Sequence, residues 1–228
     1  MAIYLDSADP DDLVTATEMG FVTGVTTNPS LMHAATEDPL KHAAQLLAAA
    51  DLVEFFYQPT GAYGSPLDEA LAARDLDPQR VVLKLMATPA GVRLAGTLVA
   101  RGARVALTAA QTPVTMAVAE AAGCVAVIPY VDRAWRDGRT ESHLVRALAE
   151  LRRSGTRIVA ASVKNVGQLT QAFVDGADAV SAPLDVLEQV LDHPAGVEAE
   201  QAFAAEYGTE AGAAVRSGTR SGSPDAGT

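Results

Sequence analysis

Eight short apolar runs alternate with helix-length amphipathic segments along most of this chain. The runs are Ile3–Leu5, Phe21–Thr27, Leu52–Tyr57, Val81–Thr88, Arg104–Leu107, Val125–Pro129, Arg157–Ala161 and Ala177–Val180. Short apolar runs predict buried strands, and strands joined by helices lie parallel. Eight such units predict an α/β fold, a closed parallel (TIM) barrel, with a C-terminal helix around Glu198–Tyr207. The alternative is an open doubly wound sheet, although no glycine-rich dinucleotide motif follows the first run.

A lysine stands in the middle of one of these apolar runs. Lys84 lies within Val81–Thr88, and the chain holds only two other lysines, Lys41 and Lys164, against 14 arginines. Burying an ammonium group is costly, and the usual relief is a lowered pKa that leaves a neutral, nucleophilic amine. The alternative is a lysine at a strand end that extends to solvent or pairs with an acid.

Polar residues follow nearly every apolar run, where a barrel of this type opens its active face. They are Asp6, Thr27 with Asn28, Gln58, Lys84, Thr108, Tyr130, and Ser162 with Lys164. Each alone has an ordinary explanation, such as a helix cap for Asp6 or a turn for Asn28. Together, around a lysine in an apolar strand, they predict a catalytic site.

The residue types at these strand ends favour Schiff-base chemistry on a carbonyl sugar. A desolvated lysine supplies the amine, and a carboxylate, a phenol and several hydroxyl groups supply proton transfer and substrate contacts. The histidines, namely His33, His42, His143 and His193, fall in predicted helices or loops. We therefore expect no metal, no cofactor and no Ser/His/Asp triad.

A phosphate site is predicted beyond the sixth and seventh runs. Arg133 follows the sixth run, and Ser162 and Lys164 follow the seventh. Late loops of such barrels often bind phosphate, with arginine and backbone amides as donors. The alternative for Arg133 is an ion pair with Asp132 or Asp137.

Composition excludes several other classes of function. The net charge of −11 disfavours nucleic-acid binding, and no apolar run is long enough to span a membrane. The single cysteine, Cys124, excludes an intrachain disulfide and suits the cytoplasm. We expect residues 1–212 to form one barrel domain, and residues 213–228, rich in glycine, serine and threonine, to form a disordered tail.

Several segments resemble the transaldolase family, which includes fructose-6-phosphate aldolases. The segments are Gly24–Met32, Val82–Lys84, Pro129–Arg133, Ala160–Lys164 and Ala182–Val186. The resemblance covers residues 1–207 and implies an eightfold βα barrel, a Schiff-base lysine, no metal, and release or transfer of a dihydroxyacetone unit from sugar phosphates. Small members of the family are commonly homo-oligomers, pentamers or decamers, with the C-terminal helix packed on a neighbour.

The resemblance also implies roles for individual residues. Lys84 would be the nucleophile, Asp6 would assist proton transfer, and Thr27 with Asn28 would hold substrate hydroxyls. The phosphate would be bound by residues of the late loops, namely Arg133, Ser162 and Lys164.

Two positions bear on the choice between the family's activities. Transaldolases similar to this chain usually have glutamate and phenylalanine where it has Gln58 and Tyr130. Fructose-6-phosphate aldolases usually have glutamine and tyrosine there, with a threonine, here Thr108, completing a water site. The chain therefore resembles the aldolases, and a transaldolase or a non-catalytic sugar-phosphate-binding barrel is the alternative.

Three residues depart from this pattern or leave it open. Met86 stands where the family usually has proline, and Thr115 where it often has glutamine. Glu54 alternates onto the same strand face as Gln58 and is an alternative acidic counterpart.

Overall fold

Eight parallel strands form a closed barrel in a computed structural model that describes residues 1–132 and 143–206. Strands adjacent in sequence pair with each other, and β1 closes the ring against β8. The strands are β1 (Ala2–Asp6), β2 (Val22–Thr26), β3 (Glu54–Tyr57), β4 (Val81–Met86), β5 (Val105–Ala110), β6 (Ala126–Pro129), β7 (Arg157–Ala160) and β8 (Ala179–Ala182). The predicted α/β barrel is confirmed.

Helices connect the strands. In the described ranges they are α1 (Pro10–Glu18), α2 (Pro29–Ala35), α3 (Pro39–Ala49), α4 (Pro66–Leu76), α5 (Pro89–Val99), α6 (Thr115–Ala121), α7 (Leu144–Leu151), α8 (Val166–Val174), α9 (Leu184–Glu188) and α10 (Pro194–Glu206). None of the helices in this part of the chain is both long and apolar enough to cross a membrane.

The chain divides into two units, residues 1–187 and residues 188–228, and the barrel belongs to the first. Residues 207–228 lie outside the part that the structure describes. The domain boundary at residue 212 and the disordered tail therefore stay predictions.

Each of the helices α1 to α5 begins with the same local sequence pattern. Each has proline in its first turn and is preceded by a residue whose side chain accepts a hydrogen bond from a backbone N–H of that turn. The capping residues are Asp9, Asn28, Asp38, Ser65 and Thr88. Proline at this position lacks only an N–H that would have no partner within the helix, and each side-chain cap contributes about 1 kcal/mol.

The structure differs from the prediction in one helix and in several element boundaries. Asn28 and Pro29, which follow β2, begin α2, a helix that the sequence pattern does not predict. The last strand is Ala179–Ala182, two residues later than predicted. The C-terminal helix begins at Pro194, earlier than Glu198.

Apolar side chains fill the barrel. A buried cluster includes Tyr4, Phe56, Val82, Ile128 and Val159, each from a different strand. Gly24 makes room for the ring of Tyr4, because a Cβ there would lie 2.9 Å from that ring and 2.6 Å from the carbonyl oxygen of Glu54. A glycine within a strand thus marks a close approach between neighbouring strands.

Glu54 lies in an ionic cluster at the opposite end of the barrel from Lys84. It is the first residue of β3 and is 4% exposed. Arg157, the first residue of β7, donates to both of its carboxylate oxygens at 2.8 Å, and Tyr4 donates to Oε2 at 2.6 Å. Arg104 donates to Oε1 as well. These contacts commit the carboxylate of Glu54 to the N-terminal end of the barrel.

Candidate active site

Lys84 is buried within β4. It is 3% exposed, and its Nζ donates a hydrogen bond to the carbonyl oxygen of Thr27 at 2.7 Å. Burial lowers the pKa of Lys84, and the negative charge of Asp6 partly opposes that shift. The side chain does not extend to bulk solvent, so the alternative of a lysine that reaches solvent at a strand end is wrong. An amine with a lowered pKa is more often uncharged at neutral pH and is then a nucleophile.

Asp6 lies at the end of β1, held by a neighbouring strand. The hydroxyl of Thr26 in β2 donates to Asp6 Oδ1 at 2.7 Å. Thr26 Oγ1 is also 2.6 Å from the hydroxyl oxygen of Ser181 in β8, and both hydroxyl side chains are buried. The sequence reading missed Thr26 and Ser181. The available signal was their polarity within apolar strands, but Ser181 lay beyond the predicted end of β8.

Thr27 contacts Lys84 through its carbonyl oxygen, and the side chains of Thr27 and Asn28 both make hydrogen bonds within the fold. The hydroxyl of Thr27 donates to the carbonyl oxygen of Phe56 at 3.0 Å, and the residue is fully buried. Asn28 Oδ1 caps α2 by accepting from the backbone N–H groups of Ser30 and Leu31. Their contacts with substrate hydroxyls stay predictions, and the amide N–H groups of Asn28 are not used by the cap.

Two buried polar atoms on the strands that flank β4 have no hydrogen-bond partner among the described residues. They are the hydroxyl oxygen of Thr108 in β5 and Oε1 of Gln58, just after β3. Gln58 Nε2 donates a hydrogen bond to the sulfur of Met86 at 3.5 Å. Buried polar atoms are normally satisfied by protein, water or ligand, so a water molecule or a polar substrate group is expected here.

Tyr130 follows β6 and is half-buried. It forms an isolated parallel bridge with Ala161, just after β7, and packs against the interior cluster. Its place at the C-terminal end of the strand is as predicted, and its role in catalysis stays a prediction.

A cavity of about 260 Å³ lies next to the end of β4. Its lining includes Gln58, Lys84, Met86 and Gly91. Gly91 lets the first turn of α5 approach this strand end, because a Cβ there would lie 2.0 Å from the carbonyl oxygen of Met86. Met86, which departs from the proline usual in the family, is 43% exposed.

The loops after β6 and β7 are tied together by Gln168 of α8. Its Oε1 accepts from the backbone N–H of Lys164 at 2.8 Å, and its Nε2 donates to Asp132 Oδ1 at 3.1 Å. Ser162 is half-buried, and its carbonyl oxygen accepts from the backbone N–H of Asp132. The side chain of Lys164 is exposed. Arg133 lies outside the described residues, so its place in a phosphate site stays a prediction.

Two strand ends carry strained backbone. Ala109, at an irregularity in the pairing of β5 with β6, has φ of 58°, and Ser162 has φ of 60°. The left-handed conformation costs a residue with a Cβ roughly 1–2 kcal/mol, and such strain concentrates at functional sites. Both positions lie at the C-terminal ends of their strands, where Ala109 follows Thr108 and Ser162 belongs to the predicted phosphate loop.

No cluster of three or more histidine, cysteine, aspartate or glutamate residues suited to a metal ion occurs within residues 1–132 and 143–206. The expectation that catalysis needs no metal therefore stays a prediction.

The chain is similar to known proteins over most of its length. A family model described as transaldolase/fructose-6-phosphate aldolase matches residues 63–218. A probable transaldolase from Roseiflexus castenholzii is 32% identical over 202 residues, covering 85% of this chain and 91% of the relative. A probable transaldolase from Desulfitobacterium hafniense is 31% identical over 216 residues, covering 91% and 98%. A third, from Exiguobacterium sibiricum, is 26% identical over 217 residues with the same coverage.

Proposed function

The chain belongs to the transaldolase/fructose-6-phosphate aldolase family, and we propose that this enzyme is a Schiff-base (class I) aldolase acting on ketose phosphates. It releases or transfers a dihydroxyacetone unit, and its reaction is most like that of fructose-6-phosphate aldolase. The observation that carries the proposal is the buried amine of Lys84, whose pKa is lowered by burial and which lies in the field of Asp6.

The first step is attack of the Lys84 amine on the C2 carbonyl of the ketose. A C–N bond forms, the carbonyl oxygen takes up protons and leaves as water, and a protonated imine remains. Desolvation favours this step because the amine must be uncharged to attack. The nearby carboxylate of Asp6 then stabilises the positive charge that the imine carries.

The second step breaks the C3–C4 bond. A base removes the proton of the C4 hydroxyl, the C3–C4 electron pair moves into the imine, and the aldehyde phosphate departs, leaving an enamine. Protonation of the enamine carbon and hydrolysis of the resulting imine release dihydroxyacetone and restore the amine. We assign the proton transfers to a water molecule held by Gln58, Thr108 and Tyr130. Support comes from the buried oxygens of Gln58 and Thr108 that lack a partner in the described ranges.

Glu54 is a poor candidate for this acid–base role. Its carboxylate is engaged by Arg157, Arg104 and Tyr4, and these contacts lower its pKa against the effect of burial, which raises it. An ionised carboxylate bound to two arginines neither donates a proton nor takes one up at neutral pH.

Substrate hydroxyls and phosphate complete the site. In the proposal, Asn28 and Thr27 contact the hydroxyls of the dihydroxyacetone half, and Ser162, Lys164 and Arg133 bind the phosphate of the aldehyde half. The bonds of Gln168 to Lys164 and Asp132 support a phosphate site at this place, because they hold the two late loops together.

Transaldolase activity is the second candidate, favoured by the names of the curated relatives. In that reaction the enamine on Lys84 attacks an aldose phosphate acceptor such as erythrose 4-phosphate. Accumulation of free glyceraldehyde 3-phosphate from fructose 6-phosphate without an acceptor supports the aldolase. Strict dependence on an acceptor supports the transaldolase.

Borohydride trapping tests the Schiff base directly. Reduction in the presence of dihydroxyacetone or fructose 6-phosphate should add the mass of the sugar unit to the peptide that contains Lys84. Lys84→Ala should abolish the adduct, and Lys41→Ala, which removes an exposed lysine of α3, should retain it. If sugar phosphates raise the melting temperature but no adduct or carbon–carbon cleavage occurs, the barrel only binds them.

The assembly and location belong to the same proposal. We assign the enzyme to the cytoplasm, in keeping with its single cysteine, and to a homo-oligomer of five or ten subunits. The helix α10 supports an oligomer because Val197 and Phe203 on it are 41% and 62% exposed. Light scattering coupled to gel filtration measures the subunit number, and a monomer would contradict this assignment.

A further inference from the structure

Three side chains from three adjacent strands form a continuous hydrogen-bonded row inside the barrel. β1 pairs with β2 on one side and with β8 on the other. The row runs from Ser181 in β8 to Thr26 in β2 and then to Asp6 in β1, with oxygen–oxygen distances of 2.6 and 2.7 Å. Ser181 is 0% exposed and Thr26 is 2% exposed, so bulk water does not compete for the bond between them, and Asp6 at the end of the row is half-buried.

The direction of the row follows from the number of protons available. A threonine hydroxyl has one proton, and an ionised carboxylate can only accept. Thr26 therefore gives its proton to Asp6, and the proton between Thr26 and Ser181 must come from Ser181. The reverse direction would leave Thr26 and the carboxylate as two acceptors facing each other at 2.7 Å.

We propose that Ser181 is a positioning residue that acts through Thr26 to hold the carboxylate of Asp6 toward Lys84. The proposal rests on the Schiff-base function above. Hydrogen bonds in a row polarise one another, so donation by Ser181 strengthens the bond from Thr26 to Asp6. The bond to Oδ1 also limits rotation of the Asp6 side chain, and the other oxygen is left to act on the reacting groups.

A set of five variants isolates this effect in fructose 6-phosphate cleavage. The variants are Ser181→Ala, Thr26→Val, the double variant of both, Thr26→Ser, and Thr156→Val as a matched control. Thr156 is also buried, but its hydroxyl donates to the carbonyl oxygen of Cys124, away from Asp6.

Ser181→Ala should lower kcat about 5-fold to 10-fold and change KM less than 2-fold, the size expected for one buried hydrogen bond. Thr26→Val should lower kcat about 30-fold, because it removes a bond to a charged group. Adding Ser181→Ala to Thr26→Val should cause no further loss, since the intermediary hydroxyl is already absent. Thr26→Ser should keep kcat within about 3-fold of wild type, and Thr156→Val within 2-fold.

Multiplicative losses of kcat in the double variant, or a Ser181→Ala enzyme with normal kcat and raised KM, would overturn the proposal. The wild-type borohydride adduct is measured first, so that failure of the proposed function is seen separately. If no adduct forms, urea unfolding of the same proteins decides whether the row exists. Non-additive losses of stability for Ser181→Ala and Thr26→Val then support the row, and additive losses overturn it.

Discussion

Neutralising Glu54 should weaken the barrel without stopping the chemistry at Lys84. In Glu54→Gln the shape of the side chain is kept, but the carboxylate that accepts from Arg157, Arg104 and Tyr4 loses its charge. Two guanidinium groups at the N-terminal end of the barrel are then left facing each other without a counter-charge.

The loss of unfolding free energy depends on how deeply Glu54 and its arginine partners are buried. Removing one partner of a fully buried ion pair costs about 3–5 kcal/mol, whereas exposed pairs contribute about 0–1 kcal/mol. The carboxylate side chain of Glu54 is 5% exposed, but those of its arginine partners are 30% and 31% exposed. Solvent therefore screens part of the loss, and we expect about 2–3 kcal/mol at pH 7, or a fall in melting temperature of roughly 5–10 °C.

The stability difference between wild type and Glu54→Gln should depend on pH in a characteristic way. The pKa of Glu54 is lower in the folded protein than in the unfolded chain, so its contribution is fully present above the unfolded value and is lost as pH falls through the folded value. The stability difference between wild type and Glu54→Gln should therefore be constant near pH 7 and shrink below about pH 4.5.

Urea unfolding from pH 7 down to pH 3 measures this difference, and Glu150→Gln, on the exposed end of α7, is the matched control. The control should unfold like wild type. Glu54→Gln should still form the borohydride adduct at a rate within about 3-fold of wild type. An adduct lost in Glu54→Gln at a pH where the protein is folded would refute the assignment of Glu54 to the structural end of the barrel. A stability difference independent of pH would refute the ionic explanation.

Three further experiments have expected outcomes. Because the pKa of Lys84 is lowered, its reductive alkylation should reach full rate at a lower pH than that of the two exposed lysines, as peptide mapping can measure. Gly91→Ala should cost about 1–3 kcal/mol in urea unfolding and reduce activity, since the new Cβ clashes with the carbonyl of Met86. The control Gly96→Ala, in the same helix with open space around it, should stabilise by up to about 1 kcal/mol. Gln58→Glu should slow release of free dihydroxyacetone relative to transfer of the three-carbon unit to an acceptor. A coupled assay of glyceraldehyde 3-phosphate formation with and without erythrose 4-phosphate measures the ratio of the two, and an unchanged ratio would contradict the role of Gln58.

The architecture and the position of the nucleophile were accessible from sequence because both depend on local signals. Apolar runs separated by helix-length segments identify buried parallel strands, and eight of them identify the barrel. The burial of Lys84 follows from its apolar neighbours in β4. The starts of α1 to α5 are also encoded locally, by a capping side chain followed by proline.

Partners across the barrel were decided only by the tertiary structure. Strand alternation places Glu54 and Gln58 on one face, but it does not say that Glu54 meets Arg157, which lies 103 residues away in the chain. Likewise, Ser181 reaches Thr26 across 155 residues because β1 pairs with both β2 and β8. The face on which a side chain lies follows from the two-residue period of its own strand. Its partners depend on the register of other strands and on the closure of the barrel, and no local segment of sequence encodes either of these.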